Sequence, residues 1–177
     1  MGGAEPDVNV NGPDANVIGI VGWKNCGKTT LASKLISELC NRGLTVNSIK
    51  HAHHGVDVDK PGADSYRHRE AGAREVILAG GQRFAIMHEL RSDAEPTLDE
   101  LLARLSPSDW VVVEGFKAHR HPKIEVHRSV CEQEPLYRKD PSIIAVAADH
   151  DTDFSGPRFD LNDAAGIADF ILGGGAR

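Results

Sequence analysis

Residues 22–29 place two glycines and a lysine at the spacing of a phosphate-binding loop. The octet Gly-Trp-Lys-Asn-Cys-Gly-Lys-Thr matches the pattern G-x-x-x-x-G-K-[ST] at every fixed position. An apolar run, Val17–Val21, precedes the octet, and apolar residues at helical spacing follow it. A strand, a glycine loop and a helix in this order form a phosphate-binding unit. This unit strongly constrains the fold, because the loop must follow a buried strand of an α/β sheet.

The residue types of the loop suit a nucleoside triphosphate with Mg²⁺. Glycines let the backbone turn sharply, so that its N–H groups point inward and cradle an anion. We expect Lys28 to contact the β- and γ-phosphates and the Thr29 hydroxyl to bind Mg²⁺, with Thr30 as a weaker second candidate. The predicted nucleotide-binding residues are Gly22, Trp23, Lys24, Asn25, Cys26, Gly27, Lys28, Thr29 and Thr30.

Hydrophobic periodicity along the chain alternates between strand and helix patterns. Several strand segments are continuous apolar runs, which is typical of a parallel sheet covered on both faces. The sequence therefore predicts a three-layer α/β fold of the P-loop NTPase class, with a mostly parallel sheet and helices on both faces. The predicted strands are 17–21, 44–50, 75–79, 83–88, 110–113, 124–126 and 143–147, and the predicted helices are 28–41, 64–74 capped by Asp64, 96–105, and a last one capped by Asn162.

The chain is expected to contain one domain, residues 16–172, between a disordered leader (1–15) and a flexible tail (173–177). The formal net charge of −6 argues against non-specific nucleic-acid binding, which needs a basic surface. No apolar stretch is long enough to cross a bilayer, so we expect no membrane association. Three cysteines without metal-type spacing predict reduced thiols and a cytoplasmic protein.

A carboxylate is expected beside the phosphate loop, where it would face Mg²⁺ or its waters. The segment Trp110–Glu114 provides one, because four apolar residues end in Glu114. The alternative is a solvated acid after a core strand. Asp59 is a further candidate metal ligand, in a loop that alternatively forms a plain turn. The same loop contains His51, His53 and His54. These histidines indicate either side chains that contact a substrate or phosphate, or a transition-metal site.

Two basic clusters stand out against the acidic average. The first contains Arg67 and Arg69, and the second begins at Lys117, three residues after Glu114. Cations at this edge of the sheet would suit an anionic, phosphorylated second ligand. The alternative is a solvated surface run, which is common for clustered charges.

Four segments together resemble one family, the molybdopterin-guanine dinucleotide biosynthesis protein B (MobB) family. They are GWKNCGKTTL (22–31), KHAHH (50–54), DVDKPGADSYRHREAGA (57–73) and VVVEGFK (111–117). The third segment is the most specific, and the resemblance extends over residues 16–172. At the position after Gly22, where related dimeric NTPases often carry a lysine, this chain has Trp23.

The resemblance implies a GTP-binding, Mg²⁺-dependent protein with weak GTP hydrolysis. Such a protein assists a MobA-like guanylyltransferase that converts molybdopterin to molybdopterin guanine dinucleotide. It also implies a homodimer and molybdopterin as the second ligand. Lys28 and Glu114 would be the catalytic residues, and Thr29, Glu114 and Asp59 the metal ligands. The implied family surface or second-ligand residues are His51, His53, Asp64, Ser65, Arg67, Arg69 and Lys117.

Two other functions are compatible with the same loop. A small-molecule kinase shares the loop and the chain length, although we find no arginine-rich lid segment. A non-catalytic module, in which the nucleotide controls binding to a partner, is the other alternative. The guanine preference follows from the resemblance, since the chain has no N-K-x-D motif.

Overall fold

A six-stranded parallel sheet carries the phosphate loop. The computed structural model describes residues 16–52 and 59–176. In the sheet the strands have the order β2-β5-β1-β6-β7-β8, and all of its strand pairs are parallel. The strands are β1 (Val17–Val21), β2 (Val46–Lys50), β5 (Trp110–Glu114), β6 (Lys123–His127), β7 (Ile143–Ala148) and β8 (Arg158–Asp160). This sheet confirms the predicted α/β class.

Strand β1 lies in the middle of the sheet, between β5 and β6. All five of its residues are buried, as a continuous apolar run predicts for a central parallel strand. Its register places Ile20 opposite Glu114, so the end of β5 lies beside the start of the phosphate loop. The three-residue strand β8 was not predicted, because a strand this short has too few residues to establish a period.

Two helices cover one face of the sheet. Helix α1 spans Lys28–Asn41, as predicted, and α4 spans Ala164–Phe170 before a π-helical turn at Ile171–Gly175. The buried side of α1 packs with Ile18, Ile20 and residues of α4 in the largest apolar cluster. The prediction that Asn162 caps α4 is wrong, because the Asp163 carboxylate accepts the Gly166 N–H at 2.9 Å.

The opposite face is covered by shorter elements. Helix α3 (Leu98–Leu102) packs Leu98 and Leu102 on Val111 and Val113 of β5. A 3₁₀ turn, Leu136–Arg138, lies over β7 and the end of β1. Glu125 is fully buried on this face, where its carboxylate accepts the N–H groups of Leu136 and Tyr137, both at 2.8 Å. The predicted three-layer arrangement is therefore present.

The chain divides into two compact units. The larger unit contains the sheet and comprises Met1–His51 and Leu98–Arg177, and the smaller unit is Ala52–Thr97. The smaller unit consists of α2 (Asp64–Glu70) and an antiparallel hairpin of β3 (Glu75–Ala79) and β4 (Phe84–His88). Helix α2 is shorter than predicted, because the Ala73 N–H bonds back to the His68 carbonyl and closes the last turn.

Two expectations about single residues in these units are wrong. Asp64 does not cap α2, since Ala63 holds the N-cap position and Asp64 lies in the first turn. The three thiols are not all reduced, because Cys26 forms a disulfide with Cys131, 105 residues away, across a Cα–Cα distance of 6.5 Å. Cys40 is exposed and free. Spacing along the chain gave no sign of this bond, because its partners meet only through the neighbouring strands β1 and β6.

In the described part of the chain, no helix is long and apolar enough to cross a membrane.

Candidate functional site

The phosphate loop connects β1 to α1 through a strongly curved backbone. Gly22, Asn25 and Gly27 have φ values of 146°, 63° and 97°, all in the left-handed half of conformational space. A Cβ atom at position 22 would collide with the carbonyl oxygen of Val126 on β6. The first loop glycine is therefore required by close backbone packing as well as by the turn.

The predicted Mg²⁺ ligands include a hydroxyl and a carboxylate in direct contact. The Thr29 hydroxyl donates to Glu114 Oε1 at 2.8 Å. Lys50, the last residue of β2, places its Nζ 3.2 Å from Thr29 Oγ1 and 3.4 Å from Glu114 Oε1. The structure therefore brings together the predicted pair and adds a lysine that sequence reasoning missed.

These two oxygens fit Mg²⁺, which prefers oxygen ligands and usually binds through one or two protein groups plus substrate phosphates. Within residues 16–52 and 59–176, no cluster of three or more His, Cys, Asp or Glu side chains could hold a metal ion. A bound Mg²⁺ would thus depend on Thr29, Glu114, phosphate oxygens and water. The Lys50 ammonium already places a positive charge beside both side chains.

Lys28 is partly buried inside the loop, where its Nζ donates to the Trp23 carbonyl at 2.7 Å. Burial lowers the pKa of Lys28, and the positive charge of Lys117 lowers it further, whereas Glu114 acts in the opposite direction. At neutral pH a lysine remains a cation unless its pKa falls by several units. The predicted role of Lys28 in phosphate binding is compatible with this position, where the charge of Lys117 acts on its ammonium group.

The loop after β5 brings Lys117 to the phosphate loop. Its Nζ lies 4.4 Å from the centroid of the Trp23 ring, and the Trp23 indole N–H donates to the Glu134 carbonyl at 2.9 Å. His51 stacks on Phe116 of the same loop with 4.5 Å between ring centroids. His51 and Lys117, both predicted from the sequence, thus lie on the loops that follow β2 and β5.

The family model for molybdopterin guanine dinucleotide synthesis protein B matches residues 17–149. The chain belongs to the MobB family. The molybdopterin-guanine dinucleotide biosynthesis adapter protein of Escherichia coli (strain K12) is 42% identical over 88% of this chain and 91% of its own length. The adapter protein of the same name from Haemophilus influenzae is 43% identical, over 88% and 86%.

Solved structures of MobB proteins share the fold. A crystal structure of molybdopterin-guanine biosynthesis protein B matches with a TM-score of 0.70 at 29% identity, covering 89% of this chain and 98% of the other. The crystal structure of Bacillus subtilis MobB gives a TM-score of 0.72 at 25% identity, covering 92% and 98%. These similarities extend over both units of the chain.

Residues 59–73, from the third of the four segments that resemble the MobB family, lie in the smaller unit. There Asp59 accepts the Ser65 hydroxyl at 3.0 Å and pairs with Arg69 Nε at 3.5 Å. Arg69 also pairs with Glu89 at 2.7 Å, and its guanidinium lies 5.1 Å from the centroid of the Tyr66 ring. Three of the predicted residues therefore form a largely buried network that holds α2 in place, which is a structural role.

The other predicted residues of this segment have different surroundings. Asp64 and Arg67 are exposed on α2, where a ligand or a partner can reach them. The predicted residues His53 and His54, which precede this segment, lie outside the described residues. The roles of Asp59 in metal binding and of Asp64 and Arg67 in second-ligand binding remain predictions.

The position of Lys50 in the sequence is one feature that could have pointed to the site. It is the last residue of a strand, and the carboxyl ends of parallel strands share one edge of a sheet. The register of β2 against β5 pairs Lys50 with Glu114 directly. Sequence reasoning missed this lysine because the pairing of β2 with β5 cannot be deduced from local patterns.

Proposed function

We propose that this chain is an adapter of molybdopterin guanine dinucleotide biosynthesis that binds GTP with Mg²⁺ and hydrolyses it slowly. One observation carries the proposal: in a MobB-family phosphate loop, the Thr29 hydroxyl lies 2.8 Å from the Glu114 carboxylate. A hydroxyl at the end of the loop and a strand-end acid are the groups that hold Mg²⁺ in P-loop NTPases.

Each residue has a defined part in this proposal. Lys28 exchanges the Trp23 carbonyl for phosphate oxygens, and the backbone N–H groups of the loop bind the remaining charge. Thr29 and Glu114 would hold Mg²⁺, and the bound ion would supply positive charge that neutralises the triphosphate. These groups would position the triphosphate and neutralise its charge. None of the described residues named here is assigned to orient an attacking water, and such a site is expected to hydrolyse GTP slowly.

The relatives named above are adapter proteins by name, which supports partner proteins for this chain as well. We propose a MobA-like molybdopterin guanylyltransferase as the partner, with molybdopterin as the second ligand. We also propose a homodimer, since the hairpin exposes several large apolar side chains.

We place the protein in the cytoplasm, where GTP and Mg²⁺ are abundant. The Cys26–Cys131 disulfide is unusual for that compartment.

Calorimetric titration with GTP and ATP, with and without Mg²⁺, tests the nucleotide site. The wild type is expected to bind GTP in a Mg²⁺-dependent manner, and Lys28→Ala to lose about tenfold or more in affinity, since a charge-assisted contact is worth roughly 1.5–3 kcal/mol. Absence of Mg²⁺-dependent GTP binding by the wild type would contradict the proposal.

A second experiment tests the adapter role. Size-exclusion chromatography with the guanylyltransferase, with and without GTP, is expected to give a complex. Phosphate release, measured in the same samples, should be slow for the wild type and absent for Lys28→Ala. Rapid transfer of the γ-phosphoryl group to a metabolite would instead favour a kinase.

A further inference from the structure

Trp23 is fixed in the phosphate loop and presents its ring face to a lysine. The indole N–H donates to the Glu134 carbonyl at 2.9 Å, so one edge of the ring is tied to the segment between β6 and β7. Lys117 Nζ lies 4.4 Å from the ring centroid. An ammonium group within about 6 Å of a tryptophan ring is attracted by the negative face of the ring.

The backbone before Lys117 is shaped to bring it to this position. Gly115 and Phe116 have φ values of 101° and 49°, two successive left-handed residues directly after Glu114. An alanine Cβ at position 115 would lie 2.8 Å from the Cβ of His51. His51 also stacks on Phe116. The turn is thus strained and closely packed, and it returns the chain from the acid of β5 to the phosphate loop.

The surroundings of Lys117 and Lys28 are unfavourable for two cations. Burial lowers the pKa of Lys117, and Lys117 in turn lowers the pKa of Lys28. The charge of Glu125 raises the pKa of Lys117, but this carboxylate is buried and already bonded to two backbone N–H groups. A bound polyanion would relieve this repulsion.

We propose that Lys117 is a second triphosphate-binding lysine, provided by the same chain and held over the phosphate loop by the face of Trp23. The inference rests on the proposed function, because it requires GTP in this loop. Lys117 Nζ lies over the ring of Trp23, and the carbonyl of the same Trp23 accepts a hydrogen bond from Lys28, the lysine that contacts the β- and γ-phosphates in the proposed function. Its charge should therefore act on GTP more strongly than on GDP.

Lys117→Met tests this inference, because methionine keeps the aliphatic stem and removes the charge. By calorimetry with Mg²⁺, we expect GTP affinity to fall about tenfold and GDP affinity less than about threefold, from the loss of one charge-assisted contact. Lys117→Arg should restore the ratio of the GTP and GDP dissociation constants. The matched control is Lys34→Met, which removes an exposed lysine of α1 that donates to Asn162.

Two substitutions of Trp23 test how Lys117 is held. Trp23→Phe keeps an aromatic face and loses the N–H group, whereas Trp23→Leu loses the face. We expect Trp23→Leu to reduce the GTP to GDP preference as Lys117→Met does, and Trp23→Phe to retain most of it. The double variant Lys117→Met/Trp23→Leu should be no weaker than Lys117→Met alone, as expected for groups that act together.

The outcomes separate this inference from the proposed function. Unchanged affinities in Lys117→Met, or an equal loss for GTP and GDP, would overturn the role of Lys117 while the wild type still binds GTP. Failure of the wild type to bind GTP would instead overturn the proposed function. An unfolding temperature of each variant close to that of the wild type shows that the fold is intact.

Discussion

At the scale of single residues, the proposed Mg²⁺ site depends on the carboxylate of Glu114. Glu114 contacts both Thr29 and Lys50, so its charge is balanced by an ammonium group before any ligand arrives. Binding of Mg²⁺ must therefore compete with Lys50 for the same oxygen. This competition makes the metal dependence of nucleotide binding the most direct measure of what Glu114 does.

Mg²⁺ is expected to increase the affinity of the wild type for GTP, and Glu114→Gln should make this increase about tenfold smaller. The reason is that an amide oxygen is a much weaker ligand for a hard cation than a carboxylate. Affinity measured in EDTA should stay level or rise, since a negative charge near the phosphates is removed. Calorimetry in both buffers checks this, with Glu70→Gln on the exposed side of α2 as the control. An unchanged Mg²⁺ effect would remove Glu114 from the metal site.

His121 gives a prediction about stability rather than binding. It is buried against β1, where a Cβ at position 19 would collide with its Nε2 atom. Burial, with the nearby charge of Lys123, lowers the pKa of His121 from 6.5 to about 4. The unfolded chain therefore binds a proton on this ring between those pH values while the folded chain does not, so stability falls as the pH decreases from 6.5 to about 4.

The size of this effect is at most about 3 kcal/mol, at 1.36 kcal/mol per pKa unit. Urea unfolding between pH 7 and pH 4 measures it. His121→Asn should flatten the pH dependence even if it lowers stability throughout. His68→Asn, at an exposed position of α2, should leave the slope unchanged. A wild-type slope retained in His121→Asn would show that another group is responsible.

Site residues whose positions depend on local sequence could be predicted from the sequence. Contacts between residues that only the order of the strands brings together could not be predicted. The phosphate loop and the start of α1 are local, and Glu114 follows from a single buried strand. The contact of Lys50 with Glu114, by contrast, depends on the pairing of β2 with β5, which local patterns do not predict. The contact of Lys117 with Trp23 required the turn at Gly115.

At the scale of elements, the phosphate loop is linked to the connection between β6 and β7. The Cys26–Cys131 disulfide and the Trp23–Glu134 hydrogen bond both join them. Long apolar runs identified β1, β5 and β7, whereas the disulfide had no signal in the sequence. Its closed loop of 105 residues restricts the unfolded chain, which in the chain-entropy account stabilises the folded state.

Cys131→Ser should lower the free energy of unfolding by about 2–4 kcal/mol in non-reducing buffer. Dithiothreitol should lower the stability of the wild type to the same level and have no further effect on the variant. Cys40→Ser, which removes the exposed free thiol, is the matched control and should change little. If alkylation without reductant labels all three cysteines of the denatured wild type, the bond does not form in solution.

At the scale of the whole molecule, the smaller unit carries an apolar sheet face. The register of the hairpin places Ile77, Ile86 and Phe84 on one side, opposite the side of buried Val76. These three side chains are 64%, 55% and 69% exposed. Exposed apolar patches are typical of interaction sites, and a two-stranded sheet alone is only marginally stable. The sequence revealed the strands but not this exposure, since alternation alone does not say which face is covered.

A second copy of the chain is the occupant that the homodimer proposal assigns to this face. Phe84→Ser combined with Ile86→Thr should raise the dimer dissociation constant about 100-fold or more, since burying one large apolar side chain contributes roughly 1.5–3 kcal/mol. Sedimentation velocity across a concentration series measures this. Val130→Ser, which removes a 68% exposed side chain from the larger unit, is the control. A wild type that stays monomeric would refute the dimer, and a double variant that dimerises as the wild type does would place the interface elsewhere.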